Sequence, residues 1–93
     1  MMDQIYRLDA WFSGRVQGVG FRYQTLQVAK EFEVSGIVKN LPDGRVHLIA
    51  EGLQSELNDF KNEVESQLDS YIKGVEDKTQ PTYRQFEGFK IDS

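Results

Sequence analysis

The sequence predicts an α+β sandwich of the split β-α-β kind, with two helices on one face of a mainly antiparallel sheet of four to five strands. Three observations carry this. Tyr6, Leu8, Ala10 and Phe12 alternate with less apolar positions, the period of a half-buried strand. Phe21, Thr25, Ala29 and Phe32, with Val28 beside them, repeat at helical spacing, and so do Leu57, Phe60, Val64 and Leu68. The elements follow in the order strand, helix, strand, strand, helix, strand, with one further strand near the C-terminal end.

Ile5 to Phe12 is the first predicted strand. Its even positions face the helices, while Arg7, Asp9 and Trp11 face the other way. Trp11 shares that second face, either half covered or simply an exposed aromatic, and is read as a packing residue. The first helix is predicted from about Phe21 to Glu33. Val34-Ser35-Gly36 ends it, with Gly36 allowing a sharp change of direction. Ile37 to Asn40 is a short strand, and Leu41-Pro42-Asp43-Gly44 is a turn. Arg45 to Glu51 is the third strand, with Val46, Leu48 and Ala50 inward. His47 falls on the opposite face. With no Asp or Cys partner within local reach, it is read as a solvated strand residue.

Gly52 closes that strand. Ser55 is the expected cap of the second helix, with Glu56 favourable in the first turn and the end near Ser70. Its polar side, including Lys61 and Glu65, reads as a solvated face. Tyr71 to Thr79 contains a further strand interrupted by Gly74, a bulge signal. Gln80-Pro81-Thr82 reads as a loop, and Phe86 to Ile91 as the last strand. The 93 residues are expected to form one domain.

Composition removes several functions. There is no cysteine, so disulfides, thiolate metal sites and thiol catalysis are excluded. One histidine cannot build a histidine metal cluster. The net charge of −4 and pI near 4.9 argue against a domain that coats nucleic acid. An RNA-binding sheet would need exposed stacking aromatics among basic residues; His47, Ile49 and Glu51 on the outer face of the third strand do not supply them. No apolar run approaches the roughly 20 residues that span a bilayer, and no signal peptide is visible. A cytoplasmic monomer is expected.

Between the first strand and first helix lies Ser-Gly-Arg-Val-Gln-Gly-Val-Gly-Phe-Arg, Ser13 to Arg22. It holds three glycines and no proline, so every residue keeps its N–H. The helix start around Gly18 to Gly20 has no Ser, Thr, Asp or Asn to cap it. Free N–H groups at the positive end of a helix dipole, flanked by Arg15 and Arg22, suit a phosphate-like anion. From spacing alone a second reading stands, a tight turn with Arg22 an ordinary solvated helix residue. The spacing is neither that of the nucleotide P-loop nor that of the dinucleotide fingerprint.

Gly14-Arg15-Val16-Gln17-Gly18-Val19-Gly20-Phe21-Arg22 resembles the first signature of the acylphosphatase family. Gly36-Ile37-Val38-Lys39-Asn40-Leu41-Pro42-Asp43-Gly44-Arg45-Val46 resembles its second, at the expected distance. The likeness runs over nearly the whole chain. Ile37 stands where the family usually has an aromatic residue, which bears on local packing rather than chemistry. The resemblance implies a ferredoxin-like architecture and hydrolysis of acyl phosphates to a carboxylate and inorganic phosphate. It implies that Arg22 binds the phosphate and that Asn40 positions the attacking water. The backbone of Gln17, Gly18, Val19, Gly20, Phe21 and Arg22 completes the cradle. No metal, no other cofactor and no covalent phosphoenzyme is implied, and general-base assistance is expected from the substrate's own phosphate.

These residue types match the chemistry. An acyl phosphate is a mixed anhydride whose carboxylate leaves readily. The reaction therefore needs charge neutralisation on the phosphoryl oxygens and a water held in line. An arginine fork meets the first need. A carboxamide, which both accepts and donates, meets the second. Without the resemblance, Asn40 also reads as a turn residue before Leu-Pro-Asp-Gly. Inorganic phosphate or sulfate is expected to occupy the cradle as an inhibitor. The alternatives are a non-catalytic module of the same fold binding an anion or small molecule, and a carbamoyl-phosphate domain of a larger maturation protein. The pair Arg22 and Asn40 weighs against the first, since binding alone needs no water-orienting amide. The absence of zinc-finger cysteines weighs against the second.

Overall fold

A computed structural model of the chain describes residues 3–92. The elements are β1 (Ile5–Gly14), α1 (Phe21–Ala29), β2 (Ser35–Asn40), β3 (Val46–Gly52), α2 (Gln54–Gln67), a 3-10 turn (Asp69–Tyr71), β4 (Ile72–Thr82) and β5 (Phe89–Asp92). The strands form one sheet in the order β4-β1-β3-β2-β5. All pairs are antiparallel except β2 with β5, which run parallel. The helices pack on one face, as the α+β reading expects. No helix among the described residues is long and apolar enough to cross a membrane.

The core lies between helices and sheet. Leu8, Ala10 and Phe12 of β1, Val38 of β2, and Val46, Leu48 and Ala50 of β3 are buried against Phe21 and Val28 of α1 and Leu57, Phe60 and Val64 of α2. These are the alternating and helical-period positions of the sequence. The Phe12 and Phe21 rings meet at 5.2 Å, tilted by 51°. Burying this pair ties the first residue of α1 to the end of β1 and so fixes where the intervening loop can lie.

Several boundaries differ from expectation, each for an identifiable reason. α1 ends at Ala29, not Glu33. The N–H groups of Lys30, Glu31 and Phe32 donate to Gln27, Val28 and Ala29, a tightened last turn. Phe32 still packs on Phe60, with 6.0 Å between rings, which is why the apolar period runs on past the helix. Gly36 lies inside β2 rather than in a turn. A Cβ there would stand 1.9 Å from the carbonyl oxygen of Ile49, so the neighbouring backbone excludes any side chain.

Ser55 is not the cap of α2. Leu53 holds that position and its carbonyl accepts from Leu57, with no side-chain cap. Glu56 does lie in the first turn, and its carboxylate accepts the Glu33 N–H at 2.8 Å. α2 ends at Gln67, not Ser70, and passes into the 3-10 turn. Its polar side is not wholly solvated: Lys61 bridges Glu65 on the same helix and Asp77 of β4, the latter at 3.0 Å.

Gln80-Pro81-Thr82 continues β4 instead of forming a loop, with Pro81 opposite Tyr6. β4 is an edge strand, so the N–H that proline lacks can face solvent without loss of a ladder bond. The irregularity signalled by Gly74 is present: Ser13 pairs Gly74 and Gly14 pairs Ile72, leaving Lys73 as the extra residue. β5 begins at Phe89, not Phe86. The N–H groups of Gln85 and Phe86 are committed to the carboxylate of Glu51 at 2.9–3.0 Å and cannot join a ladder.

Candidate active site

Residues 15–20 cross from β1 to α1. Arg15 donates its N–H to the Tyr71 carbonyl at 2.9 Å, and the next backbone bond of the segment is from Gln24 to Gly20, also 2.9 Å. Among the described residues, the N–H groups from Gln17 to Tyr23 have no backbone carbonyl partner. Gly20 caps α1 without any side-chain bond, and no acidic residue stands in the first turn. The positive end of the helix is thus uncompensated by the protein. Gly18 and Gly20 adopt φ of 78° and 80°, left-handed angles that side-chain-bearing residues rarely take. A Cβ at either would meet nothing within 4 Å, so glycine is needed for backbone angle and not for space.

The loop is held from below and from the side. Val16 is buried and Val19 packs against the core. The Gln17 side-chain amide donates to the carbonyls of Leu41 and Arg45, at 2.8 and 3.0 Å. It therefore staples the glycine loop to the turn that follows Asn40. That turn is closed by Gly44 N–H to Leu41 and by Leu41 N–H to Arg45.

A recess of about 150 Å³ lies where these parts meet. Gly18, Gly20, Phe21, Arg22 and Asn40 line it. Five predicted residues from two distant motifs therefore share one small space. Gln17 and Val19 do not line it; their side chains hold the loop in place. The volume is below the roughly 300–1,000 Å³ of sites for drug-sized ligands, and suits a small anion with a water. The Asn40 Oδ1 atom is buried and has no hydrogen-bond partner among the described residues. A buried amide oxygen left unpaired costs about 1–3 kcal/mol, so its retention asks for a partner from outside the chain. Arg22 makes one long contact, Nη1 to the Asp92 carbonyl at 3.4 Å, which leaves its other donors available.

Arg15 is not the second cation of the recess. Its guanidinium lies over the Tyr71 ring, 5.7 Å from the centroid. A wider cavity of about 520 Å³ sits at the other end of β1, beside Phe32, Val34, Leu53 and Arg84, and neither Arg22 nor Asn40 lines it.

The outer sheet face corrects the reading of His47. Its Nε2 lies 2.9 Å from Asp9 Oδ1, its ring stacks on Trp11 at 4.6 Å, and Arg7 bonds the same carboxylate at 3.0 and 3.2 Å. The partner was invisible in sequence because it comes from the neighbouring strand, 38 positions away. Burial pushes the His47 ring below its ordinary value and outweighs the opposing pull of Asp9. For Asp9, burial acts upward, but the bonds from Arg7 and His47 prevail and hold the carboxyl below its usual range. This cluster lies on the face away from the recess and adds no group to it. Of the two readings of Trp11, half covered or exposed, the first holds: it is half-buried against His47, with Lys78 5.9 Å above its ring centroid.

The family model described as Acylphosphatase matches residues 8–91. An acylphosphatase of Archaeoglobus fulgidus is 44% identical over 85 residues, covering 90% of this chain and 94% of the relative. One from Paenarthrobacter aurescens is 35% identical over 92 residues, 98% of each. The crystal structure of acylphosphatase from Bacillus subtilis matches with a TM-score of 0.85 at 29% identity, covering 95% of this chain and 99% of that one. A full-length match in sequence, and a fold that gathers both signature motifs around one recess, lead to one conclusion: the chain belongs to the acylphosphatase family of hydrolases.

Proposed function

We propose that Arg22 and the N–H groups of the Gln17–Arg22 backbone bind the phosphoryl group of an acyl phosphate, and that Asn40 holds the attacking water. The observation that carries this is the buried, unpartnered Oδ1 of Asn40 in the same recess as Arg22 and the uncapped end of α1. Oδ1 accepts one hydrogen of the water, while the amide nitrogen is free to donate to a phosphoryl oxygen. The water oxygen attacks phosphorus in line with the bridging oxygen. The bond between phosphorus and that oxygen breaks, and the acid leaves as a carboxylate. The water's proton passes to a phosphoryl oxygen of the substrate, so no side-chain base is needed. Charge spread over the phosphoryl oxygens is met by fixed donors that need no reorganisation.

The chain works as one domain, a monomer in the cytoplasm, without a metal. Inorganic phosphate and sulfate compete with substrate for the cradle. Initial-rate hydrolysis of acetyl phosphate, with and without chelator, tests the proposal. Release of acetate and phosphate at equal rates in both conditions is expected. Phosphate binding at Gln17 to Arg22 without turnover would instead make the protein a non-catalytic anion-binding module. Loss of rate in chelator, restored by a divalent ion, would overturn the mechanism.

A further inference from the structure

Two apolar side chains stand exposed at the edge of the recess. Tyr23, in the first turn of α1, is 61% exposed, and Ile91 on β5 is 37% exposed. Both line the same space as Arg22 and Asn40. Among the described residues the large hydrophobics exposed to this degree are Tyr23, Leu53, Tyr83 and Ile91, so half of them border one cavity of about 150 Å³. Isolated exposed apolar residues need no explanation, but two converging on a polar recess do.

The register shows how Ile91 gets there. β5 runs parallel to β2 with Ile91 beside the fully buried Val38. Phe89, two residues earlier on the same face, packs edge-on against Phe60 at 5.7 Å. The apolar stripe of β5 therefore runs past the core and out to the recess.

In-line displacement places the leaving acyl group on the side of phosphorus opposite the attacking water. A recess of this size cannot hold both the phosphoryl group with its water and a large acyl group, so the acyl group must extend to the rim. We infer that Tyr23 and Ile91 form the acyl-side subsite, which favours substrates with aromatic or branched apolar acyl groups over short or anionic ones. The inference rests on the phosphoryl-binding role proposed above for Arg22 and Asn40. Apolar contact at an open rim is non-directional, and its discrimination is modest.

The test compares kcat/KM for benzoyl phosphate and acetyl phosphate in the native chain, Tyr23→Ser, Ile91→Ser and the double variant. A native preference of about tenfold for benzoyl phosphate is expected, falling to about twofold in the double variant. Tyr23→Phe should keep the preference, because the ring face and not the hydroxyl makes the contact. Leu53→Ser and Tyr83→Ser, exposed elsewhere, should leave the ratio unchanged. A second arm reads binding without turnover: titration of phenylphosphonate and methylphosphonate, followed by backbone amide shifts at Gln17 to Tyr23. Tighter binding of the phenyl compound, lost in the double variant, supports the subsite even if no acyl phosphate is hydrolysed. An unchanged benzoyl-to-acetyl ratio, or equal phosphonate affinities in native and variant chains, would overturn it.

Discussion

The side-chain amide of Gln17 donates to the Leu41 carbonyl across 2.8 Å, joining the glycine loop to the turn one residue beyond Asn40. The same amide also reaches Arg45 at 3.0 Å, so a single neutral side chain sets the distance between the two signature motifs. Gln17→Ala leaves two carbonyls without this donor and frees the loop from the turn. A stability loss of about 1–2 kcal/mol is expected. Displacing the loop from the Asn40 amide should lower kcat/KM by about 10- to 100-fold. Gln17→Glu should do the same, because an ionised carboxylate cannot donate. Denaturant unfolding together with initial rates checks both halves.

Arg22 and Asn40 should separate kinetically. In the role proposed for it, Arg22 contacts the phosphoryl group in ground and transition states, so Arg22→Gln should weaken phosphate binding and remove turnover together. A loss of at least about 2–4 kcal/mol in transition-state stabilisation is expected. Asn40→Ala should reduce kcat by about 100-fold while phosphate affinity stays within a few-fold, as for an interaction made chiefly in the transition state. Once Arg22 is replaced, removing Asn40 should add little. Near-normal turnover in Asn40→Ala would reduce Asn40 to a turn residue.

Glu51 is a latch for the chain leading into β5. Its side chain is fully buried, and it accepts three bonds from the N–H groups of Gln85 and Phe86. In Glu51→Gln the amide oxygen can still accept from both N–H groups, but the NH₂ that replaces Oε2 faces the Gln85 donor and is left buried and unpaired. The expected cost is about 1–3 kcal/mol, or roughly 4–20 °C in Tm for a domain of this size. Thermal unfolding at neutral pH measures it. A Tm within 1 °C of the native value would show that the loop is held by other contacts.

The pair Asp9 and His47 makes stability fall as the solution is acidified. His47 has a folded value below its ordinary 6.5, so the unfolded chain binds its proton first. Its contribution is fully present above 6.5 and is lost as pH falls from there towards the folded value. Asp9 is also lowered, from 3.8, so its contribution is present above that value and is lost as pH falls through the folded value. Two descending steps are expected in unfolding free energy against pH. His47→Gln should abolish the upper step and leave the lower one in place. A native profile flat between pH 7 and 5 would contradict the burial of His47.

What the sequence determined by itself is local in origin. The β1 alternation, the α2 stripe and the uncapped glycine loop are each written within about a dozen neighbouring residues, and each reappears in the structure. The two signature motifs are local strings as well, and five of the residues they pointed to, Gly18, Gly20, Phe21, Arg22 and Asn40, line the recess, whereas Tyr23 and Ile91, which line it too, lie outside both motifs. What tertiary structure alone decided depends on partners far along the chain. Asp9 reaches His47 across 38 positions, and Glu51 reaches Gln85 across 34. Gln17 reaches Leu41 across 24, and the place of Gly36 is set by the Ile49 carbonyl of the next strand. A polar residue on a strand reads as solvated until the chain that covers it is known. A glycine or proline likewise reads as a turn until its neighbouring strand is placed. Those contacts form only when the sheet order β4-β1-β3-β2-β5 brings remote segments together, because register across strands is a property of the assembled sheet and not of any one segment.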